Sequence, residues 1–175
     1  MDNFSEFLVY RNPTGSEKIK KNVLLIGGII LAAALALVSF LYIKSPISIL
    51  GLLLAAGTGY GTYFFVQDMY VEYEYTFTNG DLDVDKIIAK KKRTEMLSVN
   101  VKSFTAFGKY NEELPETEDM TVVVSSDNIA SHEYYADFEH EEYGKTRLIF
   151  SPSESMLENI AKFLPRALRN SFNAE

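Results

Sequence analysis

Cysteine is absent from the 175-residue chain, and histidine occurs only twice. Without cysteine there can be no disulfide, no thiolate metal site and no cysteine nucleophile, and the composition agrees with a reducing compartment. His132 and His140 lie eight positions apart, outside any HExxH motif, in a segment with the pattern of strand and turn. We therefore interpret both histidines as surface residues rather than metal ligands.

Charged residues are missing from two long segments, residues 22–43 and residues 46–66. A helix needs about 20 residues to cross about 30 Å of hydrocarbon, so each segment is long enough. A soluble helix of this length would carry a polar face, and a signal peptide would have a shorter apolar core. Because only Lys44 and Ser45 separate the segments, we predict a two-helix transmembrane hairpin over 22–66, with Pro46 starting the second helix.

The orientation of this hairpin follows from the basic residues that flank it. Four basic residues precede the first span and the turn carries only Lys44, so both ends are expected in the cytoplasm. Acidic residues directly after the second span count little in this rule. We predict a multi-pass protein of the inner or plasma membrane, with a cytoplasmic N-terminal segment at 1–21 and a cytoplasmic domain at 69–175.

Small residues recur at one-turn spacing in both spans. Such stripes let helix backbones approach closely in lipid, where van der Waals packing drives association. We favour packing within the hairpin over the alternative, a dimer interface. No ionisable residue lies inside either span, which argues against a channel, pump or proton relay. The predicted helix-packing residues are Gly28, Ala32, Ala36, Gly51, Ala55 and Gly59.

The part of the chain beyond Met69 is acidic and has the alternation of β-strands. It contains 20 acidic and 12 basic residues, a surface on which duplex nucleic acid is not an expected partner. Apolar residues alternate with polar ones from Val71 to Phe77 and again after Asn79-Gly80, a pair that is typical of a β-hairpin turn. We predict about seven antiparallel strands in a sandwich or partly open barrel. The further strands are expected at 93–99, 101–107, 121–125, 132–139 and 145–150.

An amphipathic helix is predicted at the C-terminus. Ser151 is the expected N-cap, Pro152 the first helical residue and Glu154 the partner in a capping box, while Pro165 should end or kink the helix. We favour packing of this helix on the sheet over a position on the membrane surface. The aromatic N-terminal segment 3–10 is expected either to form an interfacial turn or to dock on the cytoplasmic domain.

Seven strands with one C-terminal helix is the outline of a pleckstrin-homology-like (PH-like) domain. The block VEYEYTFTNGDLDVDKIIAKKKR, Val71 to Arg93, directly after a two-helix hairpin, resembles a family of bacterial membrane proteins known as a domain of unknown function. It is more distantly similar to the bacterial membrane-associated PH-like domains. The resemblance implies a fold and a membrane location, and it brings no catalytic residues.

One basic cluster stands out in the acidic domain, and it consists of Lys90, Lys91, Lys92 and Arg93. It could contact anionic lipid headgroups or a partner, or it could be a solvated turn in which lysines block sheet pairing. The sequence favours the solvated turn.

The remaining motifs give no catalytic, cofactor or metal site. Asp81, Asp83 and Asp85 share a strand face but lack the glycine and glutamate of a calcium loop, and we interpret them as solvated. No nucleophile has a base nearby, so we do not expect an enzyme. We predict a membrane-anchored binding module whose partner is another protein or a second copy, and as the alternative an anionic-lipid sensor acting through Lys90 to Arg93.

Overall fold

The structure is a computed structural model that describes residues 3–172. The chain forms two compact units. One unit is the continuous segment Pro13–Tyr70, and the other combines the residues up to Asn12 with those from Val71 onward. The helical segment is therefore inserted within the sequence of the second unit.

The inserted unit is a pair of long helices, α1 (Gly15–Leu41) and α2 (Ile47–Gln67). Helix α1 begins with a capping box, in which Thr14 Oγ1 accepts from Glu17 N and Glu17 Oε2 accepts from Thr14 N. Both helices have the length and apolar composition of membrane-spanning helices. Their apolar side chains are exposed on nearly all sides, and Leu53, for example, exposes 65% of its surface.

The first sheet of the other unit contains four antiparallel strands. In chain order they are β1 (Phe4–Tyr10), β2 (Val71–Thr78), β3 (Asp81–Ile88) and β4 (Lys92–Asn100), and the spatial order is the same. The Asn79-Gly80 turn between β2 and β3 has φ angles of 52° and 107°, which confirms the predicted hairpin. Strand β1 pairs with β2 along its whole length, from Phe4 opposite Thr78 to Tyr10 opposite Glu72.

The second sheet also has four strands. They are β5 (Ala106–Lys109), β6 (Thr121–Val124), β7 (Tyr134–His140) and β8 (Gly144–Phe150), in the spatial order β5-β7-β8-β6. Strand β6 runs parallel to β8, whereas the other pairs are antiparallel. The chain ends in two short helices, α3 (Glu154–Phe163) and α4 (Arg166–Phe172), separated at Pro165 as predicted.

The core lies between the two sheets and the C-terminal helices. Alternate residues of β2 and β3 point inward, and Tyr75, Phe77, Leu82 and Val84 are fully buried. Each large apolar side chain removed from water in this way contributes about 1.5–3 kcal/mol. The same cluster includes Met156 and Ile160 of α3 and its C-cap residue Leu164, so this helix packs on the sheets.

Three local predictions need correction. The strand predicted at 101–107 is a 3-10 turn over Val101–Ser103 with a strand only from Ala106, because the Asn100 side chain caps the turn at Lys102 N. The N-cap of α3 is Ser153, which accepts from Met156 N, rather than Ser151. Pro46 is the N-cap of α2, one position before its first helical residue.

Two broader expectations are also refined. The strands are not all antiparallel, because β6 and β8 run in the same direction. The domain predicted at 69–175 also includes the N-terminal segment, which forms β1 of its first sheet. Of the two alternatives for this segment, the structure shows docking on the domain and not an interfacial turn.

Candidate functional site

A cleft of about 500 Å³ runs along β1 on the side away from β2. Its size is within the usual range for ligand pockets. One wall is β1, and the facing wall is the segment that leads into α3. The residues that give the cleft its chemistry are Phe7, Leu8, Tyr10, Asp127, Pro152 and Glu154.

Strand β1 is at the edge of its sheet, so part of its backbone has no strand to pair with. Asn79 N donates to Asn3 O and Arg11 N donates to Val71 O, which fixes the odd-numbered residues of this segment as those bonded to β2. In an antiparallel ladder the alternate residues direct their N–H and C=O groups the other way. Leu8 and Tyr10, which line the cleft, therefore point their backbone polar groups away from β2, at the free edge of the sheet.

Hydrogen bonds of Asp127 connect the loop after β6 with the segment that leads into α3. Its Oδ1 accepts from Ser151 Oγ at 2.9 Å and from Ile129 N at 3.0 Å, and its Oδ2 lies 2.9 Å from Nδ1 of His132. Asn12 N donates to Asp127 O at 3.0 Å, which joins the segment after β1 to this loop. The Ser151 hydroxyl bonds to the carboxylate and not to the imidazole, so this trio lacks the serine-to-histidine contact of an activated nucleophile.

The basic cluster lies in the turn between β3 and β4 and at the start of β4. Lys90 has a φ of 59° in the turn, and the side chains of Lys90, Lys91 and Lys92 are exposed. Arg93 differs, because its guanidinium donates to Glu74 and lies 3.8 Å from Asp85. The structure thus separates the predicted cluster into three solvated lysines and one arginine that is paired within the sheet.

Two of the three aspartates of β3 are hydrogen-bonded to side chains of β4, and the third, Asp85, lies 3.8 Å from Arg93 Nε. Asp81 accepts from Asn100 Nδ2 at 2.6 Å, and Asp83 accepts from Ser98 Oγ at 2.5 Å. Among residues 3–172 no group of three or more histidine, aspartate and glutamate side chains is placed to hold a metal ion.

Two of the predicted helix-packing glycines lie at the contact between α1 and α2. A Cβ atom at Gly28 would be 2.1 Å from Thr62 Oγ1, and one at Gly51 would be 2.0 Å from Ser39 Oγ. Ala55 is buried, whereas Gly59 is exposed and would meet nothing within 4 Å. Ala32 and Ala36 are half-buried.

Sequence reasoning missed the cleft because its walls come from distant parts of the chain. Segments 7–10, 127–132 and 151–154 meet only through sheet pairing and packing. The run of apolar residues from Phe7 to Tyr10 was a weak signal, but it does not alternate, and only the structure shows that Val9 is buried while Leu8 and Tyr10 are exposed. A segment of seven residues without alternation is too short to be identified as an edge strand from the sequence.

A family model described as Bacterial PH-like domain (DUF6106) matches residues 1–170. No curated protein and no solved structure matches the chain. The match includes β1, both long helices and nearly all of the two-sheet unit.

Proposed function

The chain belongs to this bacterial PH-like domain family, and from that membership we propose that it is a membrane-anchored, non-catalytic binding module. In this proposal the helix pair spans the membrane as a hairpin and holds the PH-like domain at the cytoplasmic face. The domain binds another protein or a second copy of the chain.

The insertion of the helix pair between β1 and β2 is the observation that carries the proposal. These strands are neighbours in one sheet, yet 60 residues of helix and turn separate Tyr10 from Val71. Both chain connections leave the sheet at the same end, since Tyr10 pairs with Glu72. A hairpin with both ends on one side of a bilayer fits this connection, whereas a single span would put β1 and β2 in different compartments.

Lipid is the environment that suits the surface of the helices. Side chains such as Ile30 and Leu53 expose more than 60% of their surface, and in water this would be a very large apolar patch. The cytoplasmic side is supported by the basic residues before α1, namely Arg11, Lys18, Lys20 and Lys21.

Binding, rather than catalysis, is supported by the family and by the cleft. PH-like domains are generally non-catalytic binding modules. The Ser151 hydroxyl is taken up by Asp127, and His132 is held by the same carboxylate. In this proposal the hydrogen bonds among these side chains stabilise the fold and do not activate a nucleophile.

Crosslinking in native membranes followed by mass spectrometry tests the binding role. We expect full-length protein to yield specific crosslinks from the two-sheet unit to a second protein or to another copy. Crosslinks that come only from abundant membrane neighbours, at the same yield as a matched two-helix anchor without the domain, would contradict it.

A second candidate function, contact with anionic lipid, is favoured by the position of the β3–β4 turn. Val71, the first residue of β2, pairs with Ile88, the last residue of β3. The β3–β4 turn with Lys90 and Lys91 therefore lies at the end of the sheet where the chain connects to the two long helices. Basic residues near an anionic surface contribute about 1 kcal/mol each.

The absence of cysteine makes this candidate simple to test. A Lys91→Cys variant carrying an environment-sensitive dye is placed in nanodiscs with and without anionic lipid, with Glu141→Cys in the β7–β8 turn as the matched control. Lipid contact predicts a blue shift at position 91 that requires anionic lipid and weakens with salt. Equal spectra in both lipids, or equal shifts at both positions, would reject it.

A further inference from the structure

We propose that the cleft beside β1 binds an extended segment of a partner protein that carries basic side chains, and that this segment adds a strand to the first sheet. This inference rests on the proposed function and assigns the site and the chemistry of the partner. It does not depend on the basic turn at 90–93.

The backbone of β1 supplies the first argument. Leu8 and Tyr10 line the cleft and direct an N–H and a C=O group each away from β2, and among the described residues none of these four groups has a hydrogen bond to the protein. Unpaired edge groups of this kind are a template for another strand, in which main-chain hydrogen bonds give affinity. The edge is held in place at its end by the bond from Asn12 N to Asp127 O and by that from Asn128 Nδ2 to Asn12 O.

The apolar side chains of the cleft supply the second argument. Phe7 and Leu8 are 36% and 37% exposed, and Tyr10 is 61% exposed. Pro152 provides an apolar patch on the facing wall. In strand addition, such surfaces accept the alternate side chains of the added segment.

The charge of the cleft identifies the class of partner. Its acidic side chains are Asp127 and Glu154, and besides His132, which is bonded to Asp127, the lining includes no basic residue. The Asp127 carboxylate already accepts from Ser151 Oγ and Ile129 N, whereas Glu154 is exposed in the first turn of α3. A lysine or arginine side chain of the added segment would therefore pair with Glu154, while an acidic segment would be repelled.

The test uses full-length protein in nanodiscs of zwitterionic lipid, so that a cationic probe does not bind the bilayer. Fluorescence anisotropy measures binding of a labelled peptide of seven alternating valines and lysines. Matched probes replace lysine with glutamate or N-methylate the valines, which removes main-chain donors. We expect the lysine peptide to bind about tenfold or more tightly than either matched probe, since each lost hydrogen bond or charge pair weakens binding.

Variants then locate the binding. Glu154→Gln should weaken binding of the lysine peptide severalfold, whereas Glu158→Gln, exposed one turn further along α3, should leave it unchanged. Tyr10→Cys should bind the peptide more weakly than the parent chain because it removes part of the apolar surface, and a bulky maleimide at this position should abolish the remaining binding, while the same adduct on Glu158→Cys should have no effect.

Three results would overturn the proposal. The first is no binding of the lysine peptide, and the second is binding that survives N-methylation or the adduct at position 10. The third is that the lysine peptide does not bind and that the protein self-associates until the adduct at position 10 is attached. This result would place a second copy of the chain in the cleft. Each of them leaves crosslinks to a partner possible, so failure here is distinct from failure of the binding role itself.

Discussion

Tyr75 connects the two sheets through its hydroxyl group. The ring is fully buried and packs edge-on against Phe150, with 5.7 Å between the ring centroids. Its hydroxyl donates to Ser125 O and accepts from Ser151 N at 3.2 Å. Burial raises the pKa of this phenol well above its ordinary value, so the hydroxyl stays protonated and able to donate at neutral pH.

Replacing Tyr75 with Phe should lower the free energy of unfolding by about 1–3 kcal/mol, because the change leaves two buried backbone groups without a partner. Thermal unfolding of the full-length protein in detergent, followed by near-ultraviolet circular dichroism, measures the effect. Tyr143→Phe, at a partly exposed ring in the β7–β8 turn, is the control and should change stability little. Equal melting temperatures for both variants would mean that the hydroxyl does not join the sheets.

Asp85 is expected to destabilise the sheet when it is ionised. Burial, followed by repulsion from Asp83, raises the pKa of this carboxyl. Arg93 lies 3.8 Å away, but its closest contact is with Glu74, so burial dominates. The pKa of Asp85 is therefore higher in the folded state than in the unfolded state. The resulting loss of folding free energy is present in full above the folded-state pKa and disappears as the pH falls below the ordinary value of 3.8.

The variant Asp85→Asn should therefore melt at a higher temperature than the parent protein at pH 7, and the difference should shrink at pH 4. Asp119→Asn is the contrasting variant, because Lys145 lowers the pKa of that exposed carboxyl and no gain is expected. A stability loss in Asp85→Asn at pH 7 would show that the contact with Arg93 outweighs burial.

At the scale of elements, local pattern predicted the strands that have a local partner. Alternation and the Asn79-Gly80 turn identified β2 and β3 because these strands are paired through two residues. Strand β1 stayed undecided because 60 residues separate it from its partner, and the parallel pairing of β6 with β8 was missed because β7 lies between these strands in the chain. The prediction of one strand at 101–107 was wrong in its first part. Val101, Phe104 and Phe107 are all buried at a spacing of three residues, which does not fit the alternation of a strand.

Gly28 should be needed for the close approach of α1 and α2. Gly28→Ala places a methyl group 2.1 Å from Thr62 Oγ1, so the helices must separate or Thr62 must turn. We expect a lower melting temperature of the helix pair in detergent, and partial recovery in the double variant with Thr62→Ala. Gly57→Ala, where a Cβ meets nothing within 4 Å, should be neutral or slightly stabilising because alanine favours helix. Equal effects at positions 28 and 57 would contradict this packing.

At the scale of the whole molecule, the sequence predicted the two helices and the PH-like fold, and it could not predict the cleft. The helices were predictable because segments 22–43 and 46–66 contain no charge over a length that spans a bilayer. The cleft was not predictable because Tyr10, Asp127 and Glu154 come together only when β1 joins β2 and α3 packs beside it. In the proposed function, the insertion of the helix pair between two neighbouring strands requires both ends of the hairpin to lie in one compartment.

Accessibility of single cysteines in cells tests this arrangement most directly, since the parent chain has none. Lys44→Cys lies in the turn between the helices, and Glu158→Cys lies on the exposed side of α3. A membrane-impermeant maleimide should label position 44 in intact cells and position 158 only after the membrane is opened. Labelling of position 158 in intact cells, with position 44 protected, would contradict a hairpin that holds the PH-like domain at the cytoplasmic face.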